Sequence, residues 1–176
     1  EAYSGGTLGG MAITNLYDSL LRRTNVTAKN GSTVLSVAGY SYDNASRMAT
    51  VNDGIHSATY SYVDNSPLVG QIDFKQNGTT RMRTTKEYDY LNRLSSITST
   101  SASPTISFTY LYTNSNQRIK TTLADGSYWI YTYDSLGQVI SGNRYWADNT
   151  PVAGQQNQYN FDDIGNRTTA KFGGDS

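Results

Sequence analysis

The sequence predicts an all-β fold built of antiparallel β-hairpin repeats that form a curved sheet, and three observations predict it. Aromatic residues stand two apart in short runs, a D-x-x-G or D-x-x-N stretch follows each run, and the combination recurs along the chain at a near-constant interval. Side chains alternate faces along a strand, so Tyr131 and Tyr133, or Phe108, Tyr110 and Tyr112, share one face of a sheet. Aromatic side chains pack well on such a pleated surface.

The interval is seen by anchoring on the aromatic that precedes each turn. Tyr17, Tyr42, Tyr62, Tyr88, Tyr112, Tyr133 and Phe161 lie 25, 20, 26, 24, 21 and 28 residues apart. A period of this size marks a repeat architecture whose units are stable only when stacked. The array occupies residues 16–168, with 1–15 as a lead-in and 169–176 expected to be a flexible tail.

Each unit can be read in order. The anchor is followed by Asp18, Asp43, Asp89, Asp134 or Asp162, by Thr113 in the fifth repeat, and by a shifted Asp64 in the third. A carboxylate there accepts from the backbone N–H two residues on and opens a turn. Three residues after the Asp stand Gly137, Gly165 and Asn92, with Asn116 matching in the fifth repeat, all residues that tolerate positive φ. Leu21 and Ser46 hold that place in the first two repeats and fit it less well. The stretch reads as a type I turn closed by a left-handed residue. A return strand follows, as in RMATV (47–51) and RLSSI (93–97), and the far end reverses at Asn30-Gly31, Asp53-Gly54, Asn77-Gly78 and Asp125-Gly126, dipeptides suited to two-residue hairpins. One helical pattern competes, since Ile13, Leu16, Leu20 and Leu21 fall at helical spacing; the repeat register favours strand and turn there.

Composition narrows the function classes. Lys+Arg and Asp+Glu are both 14, so the net charge is zero, which leaves no basic surface for phosphates or an anionic membrane. Neither a nucleic-acid partner nor membrane insertion is expected. With 12% aromatics and no net charge the chain lacks the signature of disorder. The absence of cysteine excludes disulfides and thiolate chemistry. His56 is the only histidine and sits beside the Asp53-Gly54 turn, where a solvated loop residue is the plain reading. Most Asp residues are accounted for by turns, so no catalytic, cofactor or metal residue is assigned and the chain is not expected to be an enzyme.

The remaining candidates are aromatic and cationic. Trp129, Tyr145 and Trp146 fall outside the anchors and are the candidate contacts for a glycan or a partner protein, against a plainer reading as packing residues. The recurring Arg22, Arg47, Arg93, Arg118 and Arg167 are expected to pair with turn Asp residues of the next repeat or to stack on Tyr rings.

The stretches YDNASRM (42–48), YDYLNRL (88–94) and YDSLGQV (133–139), with the variants FDDIGNR (161–167) and YTNSNQR (112–118), resemble the YD repeats of Rhs proteins, of the encapsulating component of bacterial Tc toxins, and of teneurins. That resemblance covers about 16–168. It implies a β-shell or solenoid wall, Tyr17, Asp18, Tyr42, Asp43, Tyr62, Tyr88, Asp89, Arg93, Tyr112, Arg118, Tyr133, Asp134, Gly137, Phe161, Asp162, Gly165 and Arg167 as residues serving the repeat, and no cofactor. It implies as partners further YD repeats of the same or a longer chain, with an enclosed C-terminal cargo domain or a surface glycan beyond them. A secreted or cell-surface location, bacterial in origin, goes with it. The residues read as a non-catalytic structural segment of a longer polypeptide, with a surface-binding module as the alternative.

Overall fold

A computed structural model describes residues 2, 6, 9–101 and 104–173. Fourteen strands follow one another: β1 (Met11–Tyr17), β2 (Arg23–Asn30), β3 (Thr33–Tyr42), β4 (Met48–Asn52), β5 (His56–Tyr62), β6 (Val69–Gln76), β7 (Thr79–Tyr88), β8 (Leu94–Thr100), β9 (Ile106–Tyr112), β10 (Arg118–Leu123), β11 (Tyr128–Tyr133), β12 (Val139–Tyr145), β13 (Pro151–Phe161) and β14 (Arg167–Lys171). Strand order is chain order, and the expectation of an all-β, antiparallel hairpin array holds. The helical pattern at Ile13–Leu21 is overruled, because β1 pairs with β2 from Met11↔Asn30 to Tyr17↔Arg23. Strand pairing extends outside 16–168 at both ends, since β1 starts at Met11 and β14 runs to Lys171. Residues 1, 3–5, 7 and 8 of the expected lead-in and the last three residues of the tail lie outside the described residues.

The chain divides into two compact units, Glu1–Thr85 with Thr100–Ser103, and Lys86–Ser99 with Pro104–Ser176. Each is described by itself.

In the first unit the tyrosines occupy one face in a continuous line. Tyr40 stands opposite Val51, Val51 opposite Ala58, and Ala58 opposite Phe74, so these side chains share a face with Tyr60, two residues along β5. The turns at the far end are two-residue loops. Asn77-Gly78 is centred as expected, with positive φ at both positions (49° and 78°). The other two loops are Gly31-Ser32 and Gly54-Ile55, one residue later than the expected Asn30-Gly31 and Asp53-Gly54, because Asn30 and Asp53 stay bonded across to Thr33 and His56; they carry positive φ at the first position (59° and 95°). These are the hairpin turns whose twist matches that of the flanking strands.

In the second unit the alternation is plain in β9, where Phe108, Tyr110 and Tyr112 are half-buried and Ile106, Thr109 and Leu111 exposed. Here the far-end turns differ from expectation. Asp125-Gly126 is not the centre of a two-residue hairpin: Leu123 N–H donates to Ser127 O and Gly126 N–H to Leu123 O, which makes a three-residue loop. Trp146–Thr150 repeats it, with Asn149 at φ 71°. Asp125 and Asp148 each accept from the backbone N–H and the hydroxyl of the residue two on, Ser127 and Thr150. The side chain thus demands an extra loop residue.

A bulge accompanies the D-x-x-G turns. One extra residue sits on the return strand shortly after the turn: Thr24, Ala49 and Gly70 in the first unit, Ile119, Ile140 and Thr168 in the second. Such a residue increases the local twist of the strand pair.

Burial is shallow. Among the described residues the buried apolar side chains are Tyr128 and Val152, both in the second unit, and most strand residues are half-buried. Exposed Leu20, Leu91, Leu136 and Ile164 all occupy the same place at a turn tip. With so little enclosed core, strand pairing and the packing along each face carry the stability.

The left-handed place in the turn is filled by residues that suit it poorly in two repeats. Leu21 and Ser46 adopt φ 60° and 62°, the same conformation as Asn92, Gly137 and Gly165. The turn geometry overrides their preference, at a cost of about 1 kcal/mol for a residue with a Cβ. Replacing exposed Leu21 with Gly is therefore expected to stabilise the protein by about 0.5–1 kcal/mol, read as a rise in denaturation midpoint at unchanged denaturant slope.

Candidate functional site

Three repeats share in full a turn joined to its neighbour by an arginine and a tyrosine. In the first unit Asp18 Oδ1 accepts the N–H of Leu20 and of Arg22, each at 2.9 Å, while Oδ2 accepts Arg22 Nε at 2.7 Å. Asp43 does the same with Ala45, Arg47 and Arg47 Nε at 2.9, 2.8 and 2.7 Å. In the second unit Asp89 takes Leu91, Arg93 and Arg93 Nε at 2.9, 3.0 and 2.7 Å. The pairing is therefore within one turn, four residues apart, and not with the Asp of the next repeat.

The next repeat meets the other face of the same guanidinium. Arg22 lies 4.7 Å from the Tyr42 ring centre, Arg47 4.1 Å from Tyr62, and Arg93 4.8 Å from Tyr112. Nη1 then donates into the next turn: to Ser46 Oγ from Arg22, to Ser66 O from Arg47, and to Thr113 O and Asn116 Oδ1 from Arg93. The tyrosine returns the contact, its hydroxyl donating to a main-chain carbonyl just past the preceding turn. Tyr42 reaches Arg23 O, Tyr62 reaches Met48 O, Tyr112 reaches Leu94 O and Tyr133 reaches Arg118 O, at 2.7–2.8 Å. Only arginine can hold a carboxylate through Nε, stack its plane on a ring and still donate outward.

Where the residue four after the Asp is not arginine, the link changes hands. Gln117, Gln138 and Asn166 close their turns through backbone N–H alone or a weaker amide contact. In two of these repeats the arginine one place further stacks instead, Arg118 at 5.4 Å from both Tyr110 and Tyr131 and Arg167 at 5.5 Å from Tyr159, whereas Val139 follows Gln138. Phe161 has no hydroxyl to donate. The third turn is a residue longer, Val63 N–H donating to Leu68 O, and Asn65 rather than Asp64 holds its special place, at φ 55°.

The turn carboxylates are held in their ionised form. For Asp18 the N–H of Arg22 is the largest influence, and it lowers the pKa below its ordinary value of 3.8. For Asp43 and Asp89 desolvation is the largest single influence and raises it, but the hydrogen bonds of Arg47 and Arg93 together outweigh it and the net direction is down. For Asp162 the lead cause is the N–H of Asn166.

The other candidates are dispersed. Trp129 stacks on Tyr131, with centroids 6.4 Å apart. Tyr145 stacks on Tyr128 at 5.5 Å; Tyr128 precedes Trp129 in the strand and so faces the opposite side. Trp146, 48% exposed, occupies the turn position that Asp holds elsewhere, with Arg144 5.8 Å from its ring. The three therefore do not gather into one patch. His56 Nδ1 lies 3.0 Å from Asp53 Oδ2, both exposed, and the His56 N–H is the foremost of the donors that bring Asp53 down to about 2. Among the described residues no three His, Asp or Glu side chains converge as a metal site would require.

Sequence reasoning missed the second turn class in the second unit. Its signal was present as D-G-S at 125–127 and D-N-T at 148–150. Ser127 is fully buried there, and Arg144 Nη2 donates to its hydroxyl at 2.9 Å.

A tyrosine, an Asp-closed turn and an interposed arginine, renewed every twenty to thirty residues, are the geometry against which relatives can be judged. The family model that matches is the teneurin YD-shell, over residues 8–143. The chain belongs to the teneurin YD-shell family. No curated protein matches it. Among solved structures, a crystal structure of TcdB2-TccC3-Cdc42 is similar at TM-score 0.51 and 10% identity, covering 94% of this chain and 11% of that one. The Tc holotoxin pore of Photorhabdus luminescens is similar at TM-score 0.48 and 12% identity, covering 91% of this chain and 10% of that one. This YD-shell chain thus spans about a tenth of the length of the solved chains it matches, and the first of them agrees with the family in fold. Its coarse role follows from the family: it is structural, a stretch of shell-forming repeat.

Two outcomes test the fastening. Arg93→Ala is expected to destabilise by about 1–2 kcal/mol, and Tyr112→Phe by about 1 kcal/mol through the lost hydroxyl bond; a double-mutant cycle by denaturant titration is expected to give a coupling well above experimental error. Stability against pH follows from the lowered carboxylates. The unfolded chain takes up protons first, so the melting temperature holds above about pH 5 and falls as pH drops through 3.8 and below, where Asp18, Asp43 and Asp89 protonate.

Proposed function

We propose that this chain is a non-catalytic wall segment of a larger YD-repeat shell, continued at its two outer strands by further repeats of the same longer polypeptide. The single observation that carries the reading is the asymmetry between inner and outer repeats. Tyr42 and Tyr62 each receive an arginine face and donate to a carbonyl of the preceding repeat. Tyr17, at the same place in the first repeat, is 58% exposed, and no such carbonyl partner stands among the described residues. β14 is exposed along all five residues, and Arg167 stacks on the Tyr159 ring of its own repeat. Apart from the Ala2↔Ala12 bridge near the start of β1, both outer strands offer what a neighbouring repeat would take up, since unpaired strand edges seek a partner.

Enclosure of a cargo domain, as opposed to a scaffold on a cell surface, is the use we favour. Hydrogen-bonded hairpins fastened to one another at several turns suit the wall of a container, and the TccC3-containing structure supports that reading by its fold. A secreted or surface-displayed protein of bacterial origin accommodates it.

In a repeat array each interface adds stability, so joining two copies tests whether the outer strands are incomplete. A head-to-tail fusion of two copies is expected to melt about 5 °C or more above the single chain. An unchanged melting temperature would mean that the ends are already satisfied, and the wall-segment reading would fall.

A further inference from the structure

The first unit contains a recess that the repeat does not require. It has a volume of about 530 Å³, its floor is formed by Ala38, Val51, Ala58, Tyr60 and Phe74, and it opens to solvent. Its origin lies in side-chain size. Four residues before the anchor, the fifth and sixth repeats carry Phe108 and Trp129, whereas the second and third carry Ala38 and Ala58. The register brings Val51, Ala58 and Phe74 into one row across three strands, so the missing bulk is concentrated at one place.

Arg81 borders the recess together with Asp53 and His56. Lys75, next to Phe74 in β6, points to the opposite face, where it acts on Asp73. Asp53 is occupied by the N–H groups of Ile55 and His56 and by the His56 ring. Arg81 makes no ion pair or side-chain hydrogen bond among the described residues, in contrast to Arg83, which holds Asp73 at 2.6 and 3.1 Å. Arg81 is also the extra residue of a bulge: Phe74 pairs with Met82 and Lys75 with Thr80, which leaves Arg81 between them. A bulge re-aims a side chain that regular pairing would direct elsewhere. An apolar floor of this size with an unoccupied guanidinium at its edge matches the make-up of small-ligand sites.

We propose that this recess binds a small amphipathic anion, an aromatic carboxylate. Its ring lies on Tyr60 and Phe74 in the space left by Ala38 and Ala58, and its carboxylate meets Arg81, whose fork presents two parallel donors. The chemistry follows from the rim, a free guanidinium beside a carboxylate already engaged by His56. It is independent of the wall-segment reading, because it needs only the first unit.

The probe is 2-naphthoate, titrated calorimetrically into the purified chain, with neutral 2-naphthol as the comparison. One saturable site is expected, with naphthol weaker by on the order of tenfold because it cannot use the guanidinium. Arg81→Glu is expected to weaken naphthoate by at least that factor while leaving the melting temperature unchanged, since Arg81 is exposed and unpaired. Ala58→Phe is expected to abolish binding by filling the recess. Should Ala58→Phe fail to fold, Arg81→Glu alone decides. Naphthoate binding unchanged in Arg81→Glu, equal affinity for naphthol, or no saturable binding would each overturn the proposal.

Discussion

The structure depends on a carboxylate that accepts two backbone amides and a guanidinium at once. Among the described residues few side chains are buried, so little enclosed core holds the strands of either unit in place. The fastening must come from the hairpins themselves, at the points where the chain reverses. Asp at the first turn position sets the loop, the loop sets a left-handed residue three places on, and the arginine four places on is brought back against the Asp. That arginine is then fixed in direction, and its remaining face and donors are turned to the next repeat. The link between repeats is thus a by-product of the turn.

This order of causes explains which residues vary freely. The left-handed place accepts Gly, Asn, Ser and even Leu, because the hydrogen bonds around it impose the conformation. Thr113 can stand for Asp and still accept both amides, at 3.2 Å each, but it brings no charge. Where arginine is replaced by Gln117 or Asn166, a second arginine one place on supplies the stack. The fastening is redundant in its parts and constant in its geometry, as a wall made of many equivalent joints needs to be.

Much of this was legible in the sequence. The spacing of Tyr42, Tyr62, Tyr112 and Tyr133 and the Asp that follows most anchors are local features, and local features survive folding. The direction of the arginine contacts was half legible: stacking on tyrosine was expected, whereas pairing was assigned to the wrong repeat because an i,i+4 contact across a turn is not apparent from strand periodicity. Trp146 hid the turn at 146–150 by standing where Asp stands elsewhere, and Asp125-Gly126 looked like a two-residue hairpin until Ser127 was seen to claim the Asp side chain. The recess at Ala38 and Ala58 could not be read at all. It needs the strand register and the bulge at Arg81, neither of which the sequence states.

The central claim is that a turn closed by an Asp–Arg pair is coupled to the next turn through that arginine. Native-state hydrogen exchange on the wild-type chain and on Arg93→Lys tests it most directly, because lysine keeps the charge but loses the fork and the plane. The account predicts faster exchange at the 89–93 turn and also at the 113–117 turn of the following repeat. Faster exchange confined to 89–93, with 113–117 unaltered, would contradict it.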